Sequence, residues 1–208
     1  MLTGWRARAR HRWAGDGGFT LVELVVAMSI FTVVVVISLA ALRSMATTTV
    51  RTTQVADARV EADRLYNRLD KIVPYAAAVN PAGQAAGDWW VELRTDVAAG
   101  GQAPRCWQLR LDVPDAELRL RSWPPGAPAA VSSWTTVASG AAVRDGVPPF
   151  ALRAADDRVA RQRLVVAVDI GLPGAPPYPL DSTFTARNTS GATPTNHGSL
   201  VCQEVSRT

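Results

Sequence analysis

From Phe19 to Leu42 the chain runs FTLVELVVAMSIFTVVVVISLAAL, an apolar stretch whose one charge is Glu23. A bilayer crossing needs about 20 apolar residues in helical form, and this run supplies them. The rest of the fold is therefore expected to grow from the end of a membrane helix. Glu23 is the anomaly. A charge at the bilayer centre costs roughly 2.5 to 3.5 kcal/mol, and less towards the interface, where four residues after Phe19 would place it. A carboxylate in such surroundings calls for a countercharge and hydrogen bonds.

The residues ahead of the run show how a countercharge could arise. A secretory signal places its cleavage site after the apolar region, among small residues, whereas here Gly17 and Gly18 precede it. A plain signal anchor with an incidental glutamate leaves the order Gly-Phe-Thr-Leu-Val-Glu unexplained. Gly18, Phe19, Thr20, Leu21, Val22 and Glu23 resemble the class III signal of type IV pilins and pseudopilins, cut after the glycine by a prepilin peptidase that methylates the new amino terminus. The resemblance implies that Gly18 precedes the cut and that Phe19 is the methylated first residue. It implies that Glu23 is an assembly residue that meets the amino terminus of a neighbouring subunit. It covers about the first third of the chain.

The charge distribution supports the same direction of insertion. Arg6, Arg8, Arg10 and Arg12 against Asp16 give the leader +3 of the chain's formal +4. Basic residues beside a span hold their side in the cytoplasm, so the amino terminus is expected to stay inside and the carboxyl-terminal part to be exported. Loss of the leader would also remove most of the positive charge that a nucleic-acid reading needs.

Beyond the span, Arg43 to Val73 contains no Gly or Pro. Met45, Val50, Val55, Val60, Leu65, Leu69 and Ile72 give an intermittent apolar stripe, loose at first and helical in its later spacings. Arg59, Glu61, Asp63, Arg64, Arg68 and Asp70 give a charged outer face, and Pro74 ends the pattern. Joined to the span this predicts one helix of about 50 residues, roughly 75 to 80 Å at 1.5 Å per residue. Thr47 to Thr53 has poor helix propensity and is where a bend or fraying is expected.

The remainder reads as strands. Trp107, Leu109, Leu111 and Val113 alternate with Gln108, Arg110 and Asp112, and after a turn at Pro114 and Asp115, Leu118 and Leu120 alternate with Glu117, Arg119 and Arg121. This predicts an antiparallel hairpin with one buried and one charged face. Further strands are expected at Trp89–Arg94, Trp134–Ala138, Phe150–Arg153 and Leu164–Ile170. Connections are expected at Ala98–Pro104, Pro124–Ala130, Gly140–Pro149 and Leu172–Pro179, with an irregular tail from Asp181 to Ser199. Cys106 and Cys202 both lie beyond the span. An even pair in an exported domain reads as a disulfide rather than two free thiols. It would close a loop of nearly 100 residues, worth about 4.7 kcal/mol in the chain-entropy model.

The expected fold is thus α+β and pilin-like: a long N-terminal helix, half transmembrane and half amphipathic, packed on a C-terminal antiparallel β-sheet head. The organisation is a leader at 1–18, a helix at 19–74 with its span at 19–42, and an extracytoplasmic head at 75–208. That is the lollipop plan the resemblance implies.

Catalytic chemistry finds little support. His197 lies in a polar loop, and Ser199 nearby has no evident orienting acid. Asp156 and Asp157 read as a solvated turn. Asp112, Asp115 and Glu117 cluster at the hairpin turn and could bind calcium, but no ligand loop is recognisable. Arg110, Arg119 and Arg121 could form a basic strip for DNA phosphates, although an ordinary charged strand face is preferred. Trp89 and Trp90, if exposed, would make an adhesive patch.

The reading is a non-enzymatic minor pilin or pseudopilin of the inner membrane, with no metal and no cofactor. Its partners are the peptidase, other pilin subunits and membrane lipid, with DNA not favoured. The unbroken helix and the stem ARVEADRLYNRLDKIVPYAAAV, which resembles larger minor pilins and J-type pseudopilins, favour a minor subunit. The alternatives are a major pilin or a single-pass, membrane-anchored binding or adhesion protein.

Overall fold

A computed structural model describes residues 18–96, 103–171 and 176–207. The leader before Gly18, most of the expected 98–104 connection and the start of the 172–179 connection lie outside the described residues. The chain divides into two compact units, Met1–Thr48 and Thr49–Thr208.

Helix α1 runs from Leu21 to Asp70 without a break. In the first unit its apolar side chains are exposed on every side, Phe31, Val33, Val36 and Leu39 among them. Three of its hydroxyls bond back to the helix itself. Ser29 donates to the Val26 carbonyl, Thr32 to Met28 and Ser38 to Val34, so these three hydroxyls need no water.

The fraying expected at Thr47–Thr53 is not observed. Thr47 and Thr48 both donate to the Ser44 carbonyl and Thr53 to that of Thr49. The hydroxyls are thus satisfied inside a helix that continues through the threonines despite their low intrinsic propensity.

In the second unit the later part of the expected stripe, Leu65, Leu69 and Ile72, is buried, and Ala58 and Ala62 continue that face, whereas Val50, Val55 and Val60 are exposed, as is Met45 in the first unit. The spacing of five explains the difference. At 3.6 residues per turn, each step of five turns by about 140°, so those residues spiral around the helix. The spacings of four, three and four from Ala58 to Leu69 stay on one face. Ala58 and Ala62 carry that face into the main core. After Asp70 the chain tightens into a 3-10 turn, Val73–Tyr75, with Pro74 inside it.

Six strands, β1 (Ala76–Val79), β2 (Gly83–Ala85), β3 (Asp88–Thr95), β4 (Arg105–Asp112), β5 (Glu117–Trp123) and β6 (Thr135–Ser139), form an antiparallel sheet ordered β1-β3-β4-β5-β6. The short β2 pairs with β3 through a two-residue turn at Ala86 and Gly87, both with positive φ, as a tight hairpin of this twist requires. A second antiparallel sheet holds β7 (Ala141–Val143), β8 (Phe150–Arg153), β9 (Arg163–Ile170) and β10 (Tyr178–Thr185). Here β9 pairs with β10 along its whole length and with β8 and β7 on its other side.

The sheets meet at Gly140. Its φ is +69°, a Cβ there would lie 2.3 Å from the Gly171 carbonyl oxygen, and the Gly171 N–H donates to the Gly140 carbonyl at 2.9 Å. Glycine is the residue that tolerates both the conformation and the approach. One apolar core joins the buried face of α1 to both sheets, with Val91, Leu93, Leu109, Leu111, Leu118 and Leu120 from the first sheet. Phe150, Leu164, Val166, Val168, Ile170 and Phe184 come from the second.

The α+β layout is therefore the expected one, and the strands at β3, β4, β5, β6, β8 and β9 lie where the alternation placed them. The expected 140–149 loop contains β7. The expected irregular tail begins with β10, an eight-residue strand that alternates Leu180 and Phe184 inward with Asp181, Thr183 and Thr185 outward. Pro179 is compatible with it because β10 is an edge strand.

Candidate functional site

At the amino-terminal junction, Gly18 is exposed with open space around its Cα, and Phe19 is 82% exposed. Thr20 then starts the helix. Its carbonyl accepts the Leu24 N–H at 3.1 Å, and its hydroxyl accepts the Glu23 N–H at 3.2 Å. Thr20-x-x-Glu23 thus has the spacing of a capping box, and Glu23 stands in the first turn of α1. A carboxylate there meets the positive end of the helix dipole, worth about 0.3 to 1 kcal/mol at an exposed site. The local role of Glu23 is to start the helix. Among the described residues its carboxylate has no hydrogen bond or ion pair, so it is open to a group from outside the chain. The segment Leu21–Tyr75 contains a helix long and apolar enough to cross a membrane.

In the second unit, Cys106 and Cys202 form a disulfide with Cα atoms 5.6 Å apart and a sequence separation of 96. With the fully buried Trp123 it makes a small apolar cluster, flanked by Val131, Val201 and Val205. This cluster lies on the face of the six-stranded sheet opposite the main core, as the strand alternation requires. The disulfide draws the last residues of the chain across that face.

The hairpin's polar face is consequently not the solvated surface the alternation suggested. Glu92, Gln108 and Asp112 on this face are all buried. Glu92 takes two hydrogen bonds from Arg207, at 2.9 and 2.6 Å, and one from Gln108 at 3.1 Å. Gln108 in turn accepts from Arg121 at 2.7 Å. Asn80 holds the Val201 backbone through both its amide groups, at 2.8 and 2.9 Å, and Arg121 donates to the Ser206 carbonyl. Glu204 accepts from the Gly126 N–H. Its own backbone N–H and that of Gly126 hold its carboxyl below the usual glutamate range. A pocket of about 180 Å³ remains beside Glu92 and Arg207.

The three arginines considered as a DNA strip are engaged. Arg110 pairs with Asp88 at 2.5 Å and Asp112 at 3.1 Å. Arg121 lies 4.2 Å over the Trp134 ring, and burial lowers its pKa. Arg119 binds Asp112, Asp115 and Glu117 at 2.6 to 2.7 Å. The three carboxylates that suggested calcium thus surround a guanidinium, which raises the Arg119 pKa and lowers that of Glu117. No group of three metal-ligating side chains is placed to hold an ion among the described residues.

Trp89 and Trp90 do not form an exposed pair. Trp90 is fully buried, 5.8 Å from Trp134 and under Arg110, while Trp89 packs against the main core on the other face. Asp156 forms the expected turn, accepting the Arg158 and Val159 N–H groups, and these bonds lower its pKa. His197 contacts the Gly191 carbonyl.

The sequence reading missed the buried polar layer. Its signal was present in Glu92 and Gln108, which the β-alternation places on one face, but nothing in the alternation showed that a distant segment would cover them.

Residues 13–39 match the family model of a prokaryotic N-terminal methylation motif. No curated protein and no solved structure is matched. The matched residues span Gly18, Phe19 and Glu23 and enter α1. The motif supports a type IV pilin-like, membrane-anchored subunit processed at its amino terminus.

Proposed function

We propose that this protein is a prepilin-type subunit. It is cut after Gly18 by a prepilin peptidase, methylated on Phe19, and assembled through its apolar helix into a pilus or pseudopilus. The supporting observation is the methylation-motif match at residues 13–39, continuous with a membrane-length helix. Cleavage would release an ammonium group at Phe19, and Glu23 carries a carboxylate without a partner among the described residues. A neighbouring subunit's amino terminus would supply the countercharge that a glutamate in lipid requires. We place residues 19–42 in the membrane, the leader in the cytoplasm and residues 75–208 outside as a non-catalytic head.

The absence of Gly and Pro from Phe19 to Val73 supports a minor rather than a major subunit. Mass spectrometry of the chain from peptidase-competent cells is the test. The expected product begins at N-methylated Phe19, and a chain that still begins at Met1 refutes the reading.

A further inference from the structure

The outward face of the second sheet carries an unusual row of donors. Arg153 of β8 stands directly opposite Arg163 of β9, and Thr185 of β10 stands directly opposite Arg163 on its other side. All three share the face away from the core, because the adjoining Leu152, Leu164 and Phe184 point into it. Directly opposed residues have Cβ atoms about 4.5 to 5.5 Å apart, and like charges so placed repel.

Other arginines of this unit answer that problem with carboxylates, as Arg110, Arg119, Arg144 and Arg207 do. This pair does not. The nearest carboxylate, Asp156, lies 3.9 Å from Arg163 Nη2, beyond hydrogen-bond range, and its other oxygen already accepts two backbone N–H groups. Arg153 is exposed, and neither it nor the Thr185 hydroxyl has a hydrogen bond or ion pair among the described residues. Arg163 Nε is the one buried side-chain nitrogen or oxygen among the described residues that has no hydrogen-bond partner. A buried donor left unpaired costs about 1 to 3 kcal/mol, so a shift of the guanidinium that brings it to an acceptor would be favourable.

We propose that Arg153, Arg163 and Thr185 form an oxyanion-binding site for a phosphate group. Guanidinium forks match carboxylate and phosphate alike. Two forks facing one ligand, with a hydroxyl beside them, favour an anion with more than two oxygens. The bound anion would also relieve the repulsion between the arginines. The site owes nothing to the amino-terminal motif and stands whether or not the chain is processed there.

The test is heat unfolding of the full chain in non-ionic detergent, followed by tryptophan fluorescence, against inorganic phosphate or acetate with chloride at matched ionic strength. Phosphate is expected to raise the midpoint saturably above chloride, and acetate less. Arg153→Gln should raise the half-saturating phosphate concentration at least tenfold. Arg144→Gln, at the far end of the same sheet, should leave it unchanged. Arg163→Gln should also raise it, and if that variant does not fold, exposed Arg153 carries the test alone. Superimposed phosphate and chloride curves, an Arg153→Gln variant that responds as the parent, or acetate acting as strongly as phosphate would overturn the assignment.

Discussion

Removing the Arg207 side chain tests whether the end of the chain is held by charge or merely by the disulfide. The Glu92 side chain is 5% exposed and that of Arg207 28%, so the pair is buried on the acidic side and wetted on the basic side. Taking away one member of a fully buried pair costs about 3 to 5 kcal/mol. Glu92 keeps the Gln108 bond at 3.1 Å and a long Asn80 contact at 3.3 Å, and water can enter where Arg207 was. The expected cost of Arg207→Ala is therefore lower, about 2 to 3 kcal/mol, close to that of an unsatisfied buried charged group. Glu92→Gln should cost only about 1 kcal/mol, since Arg207 can turn to solvent and an amide remains for the neighbours. The double variant Glu92→Gln/Arg207→Ala should then be more stable than Arg207→Ala alone, because no orphaned charge is left. Urea unfolding of the full chain in detergent, read by tryptophan fluorescence, measures all three, as Trp123 packs against Cys202 beneath this segment. An Arg207→Ala cost below about 0.5 kcal/mol, the level of an ordinary surface change, would refute the reasoning. So would a double variant equal to the sum of the single ones.

Cys106→Ser/Cys202→Ser should lower stability by about 4 kcal/mol for a loop near 100 residues, with the main core still formed because it excludes the disulfide cluster; urea midpoint and far-ultraviolet circular dichroism check both parts. Leu65→Ala should cost about 2 to 5 kcal/mol as a buried truncation, and Val60→Ala, on the exposed side of the same helix, less than about 0.5 kcal/mol; paired denaturation curves decide it. Glu117 is held below its ordinary pKa by hydrogen bonds from Arg119 and Thr136, and Glu204 by backbone N–H groups. Because the unfolded chain binds these protons more tightly, their stabilisation is present above the unfolded glutamate value and is lost as pH falls through the folded ones. Acid titration should show that loss, and Glu117→Gln should flatten it.

What the sequence made legible was whatever its local periodicity encoded. The alternation at Leu164, Val166, Val168 and Ile170 identified β9, and that at Leu109, Leu111, Leu118 and Leu120 identified the β4–β5 hairpin. β10 escaped because Tyr178 to Thr185 mixes Pro, Asp, Ser and Thr, residues that read as loop until pairing with β9 makes them an edge strand. The later helix stripe, Leu65, Leu69 and Ile72, is buried as its spacing required, while its earlier members are not, because apolar identity there does not follow the helical angle. Val50, Val55 and Val60 outrank alanine in hydrophobicity, yet Ala58 and Ala62 share the face of Leu65 and Leu69 and are buried with them. At the amino terminus, Gly18 to Glu23 were legible as a motif. That Thr20 caps the helix and gives Glu23 a first-turn position required the backbone.

The six-stranded sheet explains why so few charges of the head remain available. One face is covered by α1 and the second sheet through apolar contact. The other is covered in part by the residues after Leu200, which reach Glu92, Arg121 and Trp123, while farther along the face Arg110 and Arg119 are matched by Asp88, Asp112, Asp115 and Glu117. A strand face of Glu92, Gln108, Arg110, Asp112, Arg119 and Arg121 looks in sequence like a solvated surface ready for a charged partner. Once a distant segment carrying Arg207 is tied over it, each charge must be matched internally or pay the desolvation penalty of burial. Function in the head is for that reason better sought where charges are left unmatched. Among the described residues exposed Arg153, without a carboxylate partner, and Arg163, 3.9 Å from Asp156, come nearer to that condition than the acid-rich hairpin.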